Sequence, residues 1–435
     1  MNSLLRKLFC LILCVSAMQV HAQYDELDER INKLAQEIEE SVVKWRRHIH
    51  QNPELSNREF KTAEYVANHL KSLGIEVQTG VAHTGVVGIL KGGKPGPVVG
   101  LRADMDALPV VERTPVPFAS KVTSVYNGQD VGVMHACGHD THVAILMGVA
   151  SILSEVKEQI PGTVKFIFQP AEEGAPQGEE GGAKLMVEEG ALKNPDVDAI
   201  FGLHISSKIP VNYIAYRSGG IMASADYFEI IVRGKQTHGS SPWAGADPIV
   251  SAAHIITGLQ TIVSRRMPLT QNAAVVTVGA IHGGVRNNII PEEVKMVGTI
   301  RALDPEMQKE IHKQIHLTAT NIAESMGTTA EVNIPLGAPV TYNDPALTEM
   351  MLPTLKDVAE KGRLIRMNAT TGAEDFSFFQ KEVPGVYFFL GGMEEGKRPE
   401  EVASHHTPDF YVDEGGFVLG IRSLSRMALD YMRMK

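Results

Sequence analysis

Residues 134–142 read M-H-A-C-G-H-D-T-H and place three histidines, one cysteine and one aspartate within nine positions. Imidazole and thiolate are the side chains that borderline-soft divalent metals prefer, and Cys137 and His139 are near enough in sequence to bind together. The next residues, V-A-I-L-M-G-V-A-S-I-L, have the apolar spacing of a helix, and Asp140 is the expected N-cap residue. A histidine-rich loop without a metal is the alternative, but four metal-competent groups beside a helix start favour a metal-binding loop.

Short apolar runs flank this loop on both sides and predict strands of a largely buried sheet in an α/β domain. The runs are G-V-V-G-I-L (85–90), P-V-V-G-L-R (97–102), T-V-K-F-I-F (163–168) and A-I-F-G-L (199–203). In sheets of this kind, catalytic groups collect at the carboxyl ends of the strands. Three of the runs lead into acidic or imidazole side chains, which are Asp104 and Asp106, Glu172 and Glu173, and His204. The sequence therefore predicts one site at this edge of the sheet.

Glu172 and Glu173 are adjacent carboxylates, and this arrangement allows a division of labour. One can coordinate a cation while the other acts as general base on the attacking water. A solvated acidic turn is the alternative, but both residues follow an apolar strand. Asp106 would accept a hydrogen bond from a ligand imidazole and fix its tautomer. Its alternative role is that of a capping or turn aspartate.

A further cluster, S-H-H-T-P-D-F, occupies residues 404–410 after the last predicted strand, G-V-Y-F-F-L (385–390). Two loop histidines on their own could be solvated and idle. Because other metal-competent clusters are present, we expect one of the two, His405 or His406, to bind a metal.

The segment that begins near Ala225 has a different order of elements. Its apolar patterns follow one another as β-α-β-β-α-β, the ferredoxin-like order, over about 110 residues. The α/β pattern then resumes with a helix from Pro345. We therefore expect residues 221–335 to form a second domain, inserted into a first domain of residues 23–220 and 336–435.

The first 22 residues have the features of a secretory signal. Arg6 and Lys7 precede the apolar run L-F-C-L-I-L-C-V-S-A-M, and V-H-A ends at Ala22, the expected cleavage site. A membrane anchor is the alternative, although this run is too short to span a bilayer, which takes roughly 18 to 20 apolar residues. We expect an exported protein, periplasmic or secreted, that has no membrane segment after cleavage.

The chain of 435 residues is 43% hydrophobic and 21% charged, the composition of a soluble globular protein. Its formal charge of −10 argues against nucleic acid and anionic membranes as partners. Two of the three cysteines lie in the expected signal, so Cys137 alone remains and cannot form an internal disulfide. Because a lone thiol is a liability in an oxidising compartment, its presence favours metal ligation.

Taken together, the motifs resemble those of the amidohydrolase branch of the co-catalytic, two-metal metallopeptidases. This branch includes hippurate hydrolases, aminoacylases and plant auxin-conjugate hydrolases. The resemblance covers nearly all of the chain after the expected signal. The matching stretches are R-R-H-I-H-Q-N-P-E-L-S (46–56), R-A-D-M-D-A-L-P (102–109), M-H-A-C-G-H-D-T-H (134–142), Q-P-A-E-E-G (169–174), G-L-H (202–204), H-G-S-S-P-W-A-G-A-D-P-I (238–249), N-N-I-I-P (287–291), G-A-E-D-F-S (372–377) and H-H-T-P-D-F (405–410).

The resemblance implies a centre of two divalent metal ions with five protein ligands. The implied ligands are Cys137, His139, Glu173, His204 and His406. Glu172 takes the place of the general base, and Asp106 that of the aspartate that orients a ligand imidazole. Asp104 falls where more distant relatives have a histidine ligand. A thiolate ligand favours zinc, with manganese, cobalt and nickel as alternatives.

The resemblance also implies that the inserted domain is a lid or dimerisation domain, through which two copies would form a homodimer. His238, in Q-T-H-G-S-S-P, would reach an active site and polarise the scissile carbonyl, often across the dimer interface. Considered without the resemblance, it is a turn histidine. Asn288, in N-N-I-I-P, would hold the carboxylate of the substrate.

These features predict a metal-dependent amidohydrolase that releases an amino acid from a small N-acyl or N-aroyl amino acid. A carboxypeptidase or dipeptidase acting on a short peptide is the alternative within the same chemistry. A non-catalytic binding protein on an enzyme scaffold is disfavoured because Glu172 and the full ligand set are present. A cysteine nucleophile, with Cys137 attacking and His139 as base, explains fewer residues than metal ligation does.

Overall fold

The computed structural model describes residues 26–435, so the expected signal at residues 1–22 lies outside the described residues. The chain divides into two compact units. Among the described residues, the first contains 26–216, Ala346–Arg366 and Val383–Lys435, and the second contains Arg217–Pro345 and Met367–Glu382.

Met367–Glu382 lies in the second unit, whereas the expected boundaries assign this segment to the first domain. Its backbone is hydrogen-bonded to the chain at residues 221–223. Thr370 N–H donates to Ile221 O, and Ala223 N–H donates to Gly372 O. These bonds join segments that are distant in sequence, so the chain order alone could not indicate them.

The helices of residues 26–435 largely follow the apolar spacing. In chain order they are α1 (26–37), α2 (Glu39–Gln51), α3 (Phe60–Ser72), α4 (His139–Glu155), α5 (Gly182–Glu188), α6 (Pro248–Thr261), α7 (Pro305–Ser325), α8 (Pro345–Val358), α9 (Ser377–Glu382) and α10 (Phe417–Met434). A one-residue turn at Ile38 separates α1 from α2. Within this described range, none of the helices has both the length and the apolar character of a membrane span.

The strands confirm the five apolar runs from which strands of the α/β domain are predicted. In chain order they are β1 (Glu76–Val81), β2 (Gly85–Lys91), β3 (Lys94–Asp104), β4 (Thr123–Tyr126), β5 (Gln129–Gly132), β6 (Pro161–Gln169), β7 (Ala199–Pro210), β8 (Ile214–Tyr216), β9 (Gly219–Met222), β10 (Asp226–Arg233), β11 (Thr237–His238), β12 (Ala274–Gly283), β13 (Ile289–Ile290), β14 (Glu293–Ala302), β15 (Thr329–Asn333), β16 (Thr341–Asn343), β17 (Leu364–Arg366) and β18 (Gly385–Met393).

A mixed sheet in the order β1-β2-β6-β3-β7-β18-β8-β17 organises the first unit. Its central strands β6, β3, β7 and β18 are parallel neighbours, and β6 and β18 are almost entirely buried. The edge strands β1 and β17, and β8 next to β17, are short or half-exposed and carry no long apolar run, so the sequence did not indicate them. The fold of this unit is the predicted α/β arrangement, with helices packed against a central sheet.

Helix α4 connects the sheet to the metal-competent loop. Every residue from His139 to Leu153 is buried, as is typical of a helix that is apolar on all sides. It packs against α2, α3 and α10 and against strands β3 and β7. The loop that precedes α4 is therefore anchored on a rigid element of the core.

The second unit contains an antiparallel sheet in the order β12-β14-β10-β15 with helices α6 and α7 packed against it. Its elements follow the predicted order β-α-β-β-α-β. Both helices begin with an aspartate N-cap and a proline in the first turn. Asp247 accepts hydrogen bonds from the N–H groups of Ile249 and Val250, and Asp304 from that of Met307.

Candidate metal centre

The metal-competent side chains of the first unit lie together at the carboxyl edge of its sheet. Strands β3 and β6 run parallel, with Asp104 opposite Gln169 at their ends, and His204 lies in the neighbouring strand β7. Three sets of ligand atoms each lie within 4.8 Å of one another. They are Cys137 with His204 and His405, Asp104 with His139 and His142, and Cys137 with His139 and Glu173.

His139 is fully buried and is oriented by Asp106. Its Nδ1–H donates to Asp106 Oδ1 at 3.1 Å. The other carboxylate oxygen of Asp106 accepts hydrogen bonds from Ser56 Oγ at 2.8 Å and from the Glu173 N–H at 3.0 Å. A carboxylate held in this way fixes both the tautomer and the direction of the imidazole ring.

The second ring nitrogen of His139, Nε2, has no hydrogen-bond partner among the described residues. It lies 3.7 Å from an oxygen of Asp104, 3.8 Å from one of Glu172 and 4.0 Å from one of Glu173. Burial lowers the pKa of His139, but the carboxylates, Asp104 and Asp106 foremost, outweigh it and raise this pKa to about 10. An unpartnered buried nitrogen in a pocket that stabilises positive charge fits a divalent cation.

The Cys137 sulfur faces two imidazole rings. His406 Nε2 lies 3.3 Å from Sγ and His204 Nε2 lies 3.4 Å from it. The Nδ1–H of His204 donates to Ile205 O at 2.6 Å, which directs Nε2 toward the sulfur. His406 Nε2 is also 3.1 Å from Glu173 Oε1. Burial and nearby carboxylates raise the pKa of the Cys137 thiol well above its usual value, and a bound cation would favour the thiolate.

His405 differs from its neighbour because backbone groups engage both of its ring nitrogens. Its Nδ1–H donates to Cys137 O at 3.1 Å, and Nε2 accepts from the Ser207 N–H at 3.3 Å. Burial lowers the pKa of His405 to about 3, so the ring is neutral. His405 Nδ1 lies 3.7 Å from Cys137 Sγ. His406, in contrast, directs one ring nitrogen at both this sulfur and the carboxylate of Glu173.

Asp104 and His142 form a pair whose role the sequence did not indicate. The Nδ1–H of His142 donates to Asp104 Oδ1 at 2.5 Å, and its Nε2 accepts from the Ile205 N–H at 2.8 Å. Both nitrogens are therefore used, and neither can bind a metal. Burial raises the pKa of Asp104, but Arg102, which donates to Oδ2 at 2.7 Å, and the adjacent histidines lower it well below the usual range. Through the Ile205 N–H, this pair anchors strand β7 at the residue next to His204.

The turn that carries Glu172 and Glu173 follows β6 through Pro170 and Ala171. Ala171 has a backbone φ of 53°, which is uncommon for a residue other than glycine. Its N–H donates to the buried carboxylate of Glu59 at 2.9 Å, and the Glu173 N–H donates to Asp106. Two buried carboxylates therefore hold the backbone on either side of Glu172.

The predicted N-cap role of Asp140 is wrong. Helix α4 begins at His139 with Gly138 as its N-cap residue. The backbone φ of Gly138 is 96°, and a Cβ here would lie 2.4 Å from Ile205 Cγ2, so glycine is required. Asp140 lies in the first turn, where its buried carboxylate is 2.7 Å from Arg46 Nε and 2.8 Å from His50 Nδ1 of helix α2.

His238 and Asn288 are neighbours within the second unit. Short strands β11 and β13 pair His238 with Ile289, and the Gly239 N–H donates to Asn288 O at 2.9 Å. The Nδ1 atom of His238 accepts from the Ser240 N–H at 3.1 Å. Both His238 and Asn288 are exposed. The two residues expected to bind substrate thus belong to one local structure.

Comparisons with known proteins show the family to which the chain is related. Residues 100–430 match the family model described as Peptidase family M20/M25/M40. Thermostable carboxypeptidase 2 of Saccharolobus solfataricus is 41% identical over 408 residues, which cover 93% of this chain and 99% of that protein. IAA-amino acid hydrolase ILR1-like 2 of Arabidopsis thaliana is 38% identical over 404 residues, with coverages of 92% and 87%. The crystal structure of Bacillus subtilis YXEP protein, a dinuclear metal binding peptidase from the M20 family, matches with a TM-score of 0.78 at 32% identity, covering 92% of this chain and all of that one.

Proposed function

Because this chain belongs to peptidase family M20/M25/M40 and is a metal-dependent hydrolase, we propose that it cleaves the amide bond of N-acyl or N-aroyl amino acids. The products would be a carboxylic acid and a free amino acid. The observation that carries this proposal is the convergence of imidazole, thiolate and carboxylate groups around Glu172.

We assign the two metal ions to five ligands, which are Cys137, His139, Glu173, His204 and His406. The unpartnered Nε2 of His139 supports this assignment, as do the short distances from Cys137 Sγ to His204 and His406. The YXEP relative is a dinuclear metal binding peptidase, which supports two metal ions per chain. We propose zinc because a thiolate ligand favours it, with manganese, cobalt or nickel as alternatives.

Two bound divalent cations would activate a water molecule and polarise the amide carbonyl. Glu172 would accept the proton of the attacking water and then deliver it to the departing amine nitrogen. Its carboxylate lies 3.8 Å from His139 Nε2, at the edge of the proposed metal site, which suits this role. Asp106 would act through His139, because it fixes the direction of the ring and also holds the Glu173 N–H.

We propose that two residues of the second unit contact the substrate. His238 would donate a hydrogen bond to the carbonyl oxygen, and Asn288 would bind the carboxylate of the amino acid product. Their proximity at the paired strands β11 and β13 supports a shared role. We propose that the protein forms a homodimer through the second unit. It would act in the periplasm or outside the cell after removal of residues 1–22.

A carboxypeptidase or dipeptidase is the second candidate. It is favoured by the relative named thermostable carboxypeptidase 2, which is 41% identical to this chain. Both candidates use the same catalytic groups and differ in what precedes the scissile bond, which is an acyl group in one and an amino acid residue in the other.

Hydrolysis of a substrate panel by the native protein and by Glu172→Gln tests the proposal. The panel contains N-acetyl, N-benzoyl and dipeptide substrates, and release of the amino acid is measured. We expect the native enzyme to prefer N-acyl or N-aroyl substrates, and Glu172→Gln to keep its metal content while turnover falls about 10²- to 10⁴-fold. Near-native turnover of Glu172→Gln would overturn the assignment of the base. Metal binding without turnover across the panel would indicate a binding protein.

A further inference from the structure

A buried carboxylate outside the proposed ligand set lies directly behind the acidic turn. Glu59 is fully buried at the start of helix α3. Its Oε1 accepts the Ala171 N–H at 2.9 Å, and its Oε2 accepts the Thr84 hydroxyl at 2.6 Å. We infer that Glu59 is a positioning residue that fixes the turn carrying Glu172, an inference that rests on the proposed role of Glu172 as base.

The backbone of this turn requires such support. Residue 170 is a proline and has no N–H, so the first donor after the end of β6 is the N–H of Ala171. Ala171 is buried and has a φ of 53°, a conformation that persists only where the surroundings hold it. Without the carboxylate of Glu59, its N–H would be buried and unpaired.

The rest of the loop between α2 and α3 binds the same region of the chain. Asn57 Nδ2 donates to Glu180 O at 3.0 Å, and Arg58 pairs with the carboxylate of Glu179 at 2.5 Å. Ser56 donates to Asp106 at 2.8 Å. These contacts give a role to N-P-E-L-S-N-R-E (52–59), which contains no proposed ligand. The loop therefore contacts the chain on both sides of the turn that carries Glu172, and Glu59 makes the contact nearest to Glu172.

Glu59→Met tests this role because methionine has a similar length and no strong acceptor. We expect kcat to fall about 10- to 100-fold, while KM and the number of bound metals stay close to native values. Hydrogen exchange of the peptide that contains residues 170–175 should become faster, as followed by mass spectrometry. Glu59→Gln should restore both readouts, because its side-chain oxygen can still accept the Ala171 N–H.

Glu54→Met is the matched control. Glu54 lies in the same loop, but its carboxylate accepts the N–H groups of Lys61 and Thr62, each at 2.9 Å, and so caps helix α3. Its loss should lower the melting temperature and leave kcat and exchange in the turn unchanged. If Glu59→Met does not fold, Glu59→Asp takes its place, since it keeps the carboxyl group but is one methylene too short to reach Ala171. We expect the same fall in kcat for it.

Native kcat and native exchange in Glu59→Met, or in Glu59→Asp where the first does not fold, would overturn the inference. A loss in Glu59→Gln as large as that in Glu59→Met would also overturn it, because the effect would then depend on the carboxyl group itself and not on the accepted hydrogen bond. Failure of the proposed function gives a different result, in which the native protein hydrolyses none of the panel. The exchange measurement still decides the role of Glu59 in that case.

Discussion

Orientation of the ring nitrogens distinguishes the histidines at the residue scale. The Nδ1–H of His139 donates to Asp106, and that of His204 donates to the Ile205 carbonyl oxygen. In both rings Nε2 is then directed into the cluster of metal-competent groups. His142 and His405 use both nitrogens for other bonds. A neutral imidazole has one donor and one acceptor, so a ring with both nitrogens engaged cannot ligate a metal.

His406→Ala and His405→Asn separate the two members of the doublet. We expect His406→Ala to retain about one metal ion per chain instead of two after dialysis, because one ligand of the proposed centre is lost. His405→Asn should retain both ions, since the asparagine amide can replace the Nδ1–H donor to Cys137 O. The check is metal analysis by mass spectrometry. The opposite pattern of loss would show that His405 is the ligand.

The sequence could predict the groups of the site but only part of their division of roles. Carboxylates and histidines at strand ends are visible as residue types, and the motifs also indicated the resemblance that the family match confirms. The pairing of Asp104 with His142 could not be predicted, because it depends on the distance between strand β3 and helix α4. The one available signal was the spacing of His142 three positions after His139, which places both on one face of a helix.

At the element scale, a buried ion pair joins helices α2 and α4. Arg46 is 1% exposed, and its Nε lies 2.7 Å from Asp140. His50 binds Asp140 through Nδ1 at 2.8 Å and Glu112 through Nε2 at 3.1 Å. The sequence suggested an N-cap for Asp140 because aspartate before an apolar run is the usual signal. The signal failed here because Asp140 has charged partners some 90 residues earlier in the chain.

Asp140→Asn should be strongly destabilising. The substitution removes the nearer of the two carboxylates beside buried Arg46, the other being that of Glu414 at 3.2 Å, and the breaking of such a buried pair costs about 3 kcal/mol of the free energy of unfolding. Urea denaturation in the presence of a chelator measures this cost without a contribution from metal binding. The control is Asp130→Asn on the exposed strand β5, which should change the free energy of unfolding by less than about 0.5 kcal/mol. A similarly small effect for Asp140→Asn would contradict the prediction.

Asp226 gives the second unit a dependence of stability on pH. Burial raises its pKa, but hydrogen bonds from His312, Gln308 and the Gly337 N–H outweigh burial and lower the pKa. A depressed carboxyl pKa stabilises the folded state above the unfolded-state value of about 3.9, and this contribution is lost as the pH falls through the folded-state pKa. The protonated carboxyl group of Asp226 accepts the hydrogen bonds from His312, Gln308 and Gly337 less well than the carboxylate does.

Asp226→Asn should therefore lower the melting temperature most above about pH 5, and the difference from the native protein should shrink below about pH 4. Thermal unfolding followed by circular dichroism over pH 3–8 provides the measurement. The exposed-site variant Asp130→Asn again serves as the control. A difference that is constant across this range would show that Asp226 acts by packing alone.

At the scale of the whole molecule, the predicted α/β class and the β-α-β-β-α-β order are both present. The apolar runs predict the central strands because those strands are buried on both faces. The assignment of Met367–Glu382 to the second unit could not be predicted, since it depends on backbone hydrogen bonds to residues 221–223. The five proposed metal ligands lie in the first unit, and the proposed substrate-binding pair His238 and Asn288 lies in the second.

Metal content of the purified protein, measured together with amino acid release before and after chelation, tests the central claim most directly. We predict about two divalent ions per chain, loss of hydrolysis on chelation and recovery when metal is restored. The native protein and Cys137→Ala are compared, and the variant should bind fewer ions. A protein that hydrolyses the panel equally well without metal, or that binds none after reconstitution, would contradict a two-metal centre at Cys137 and His139.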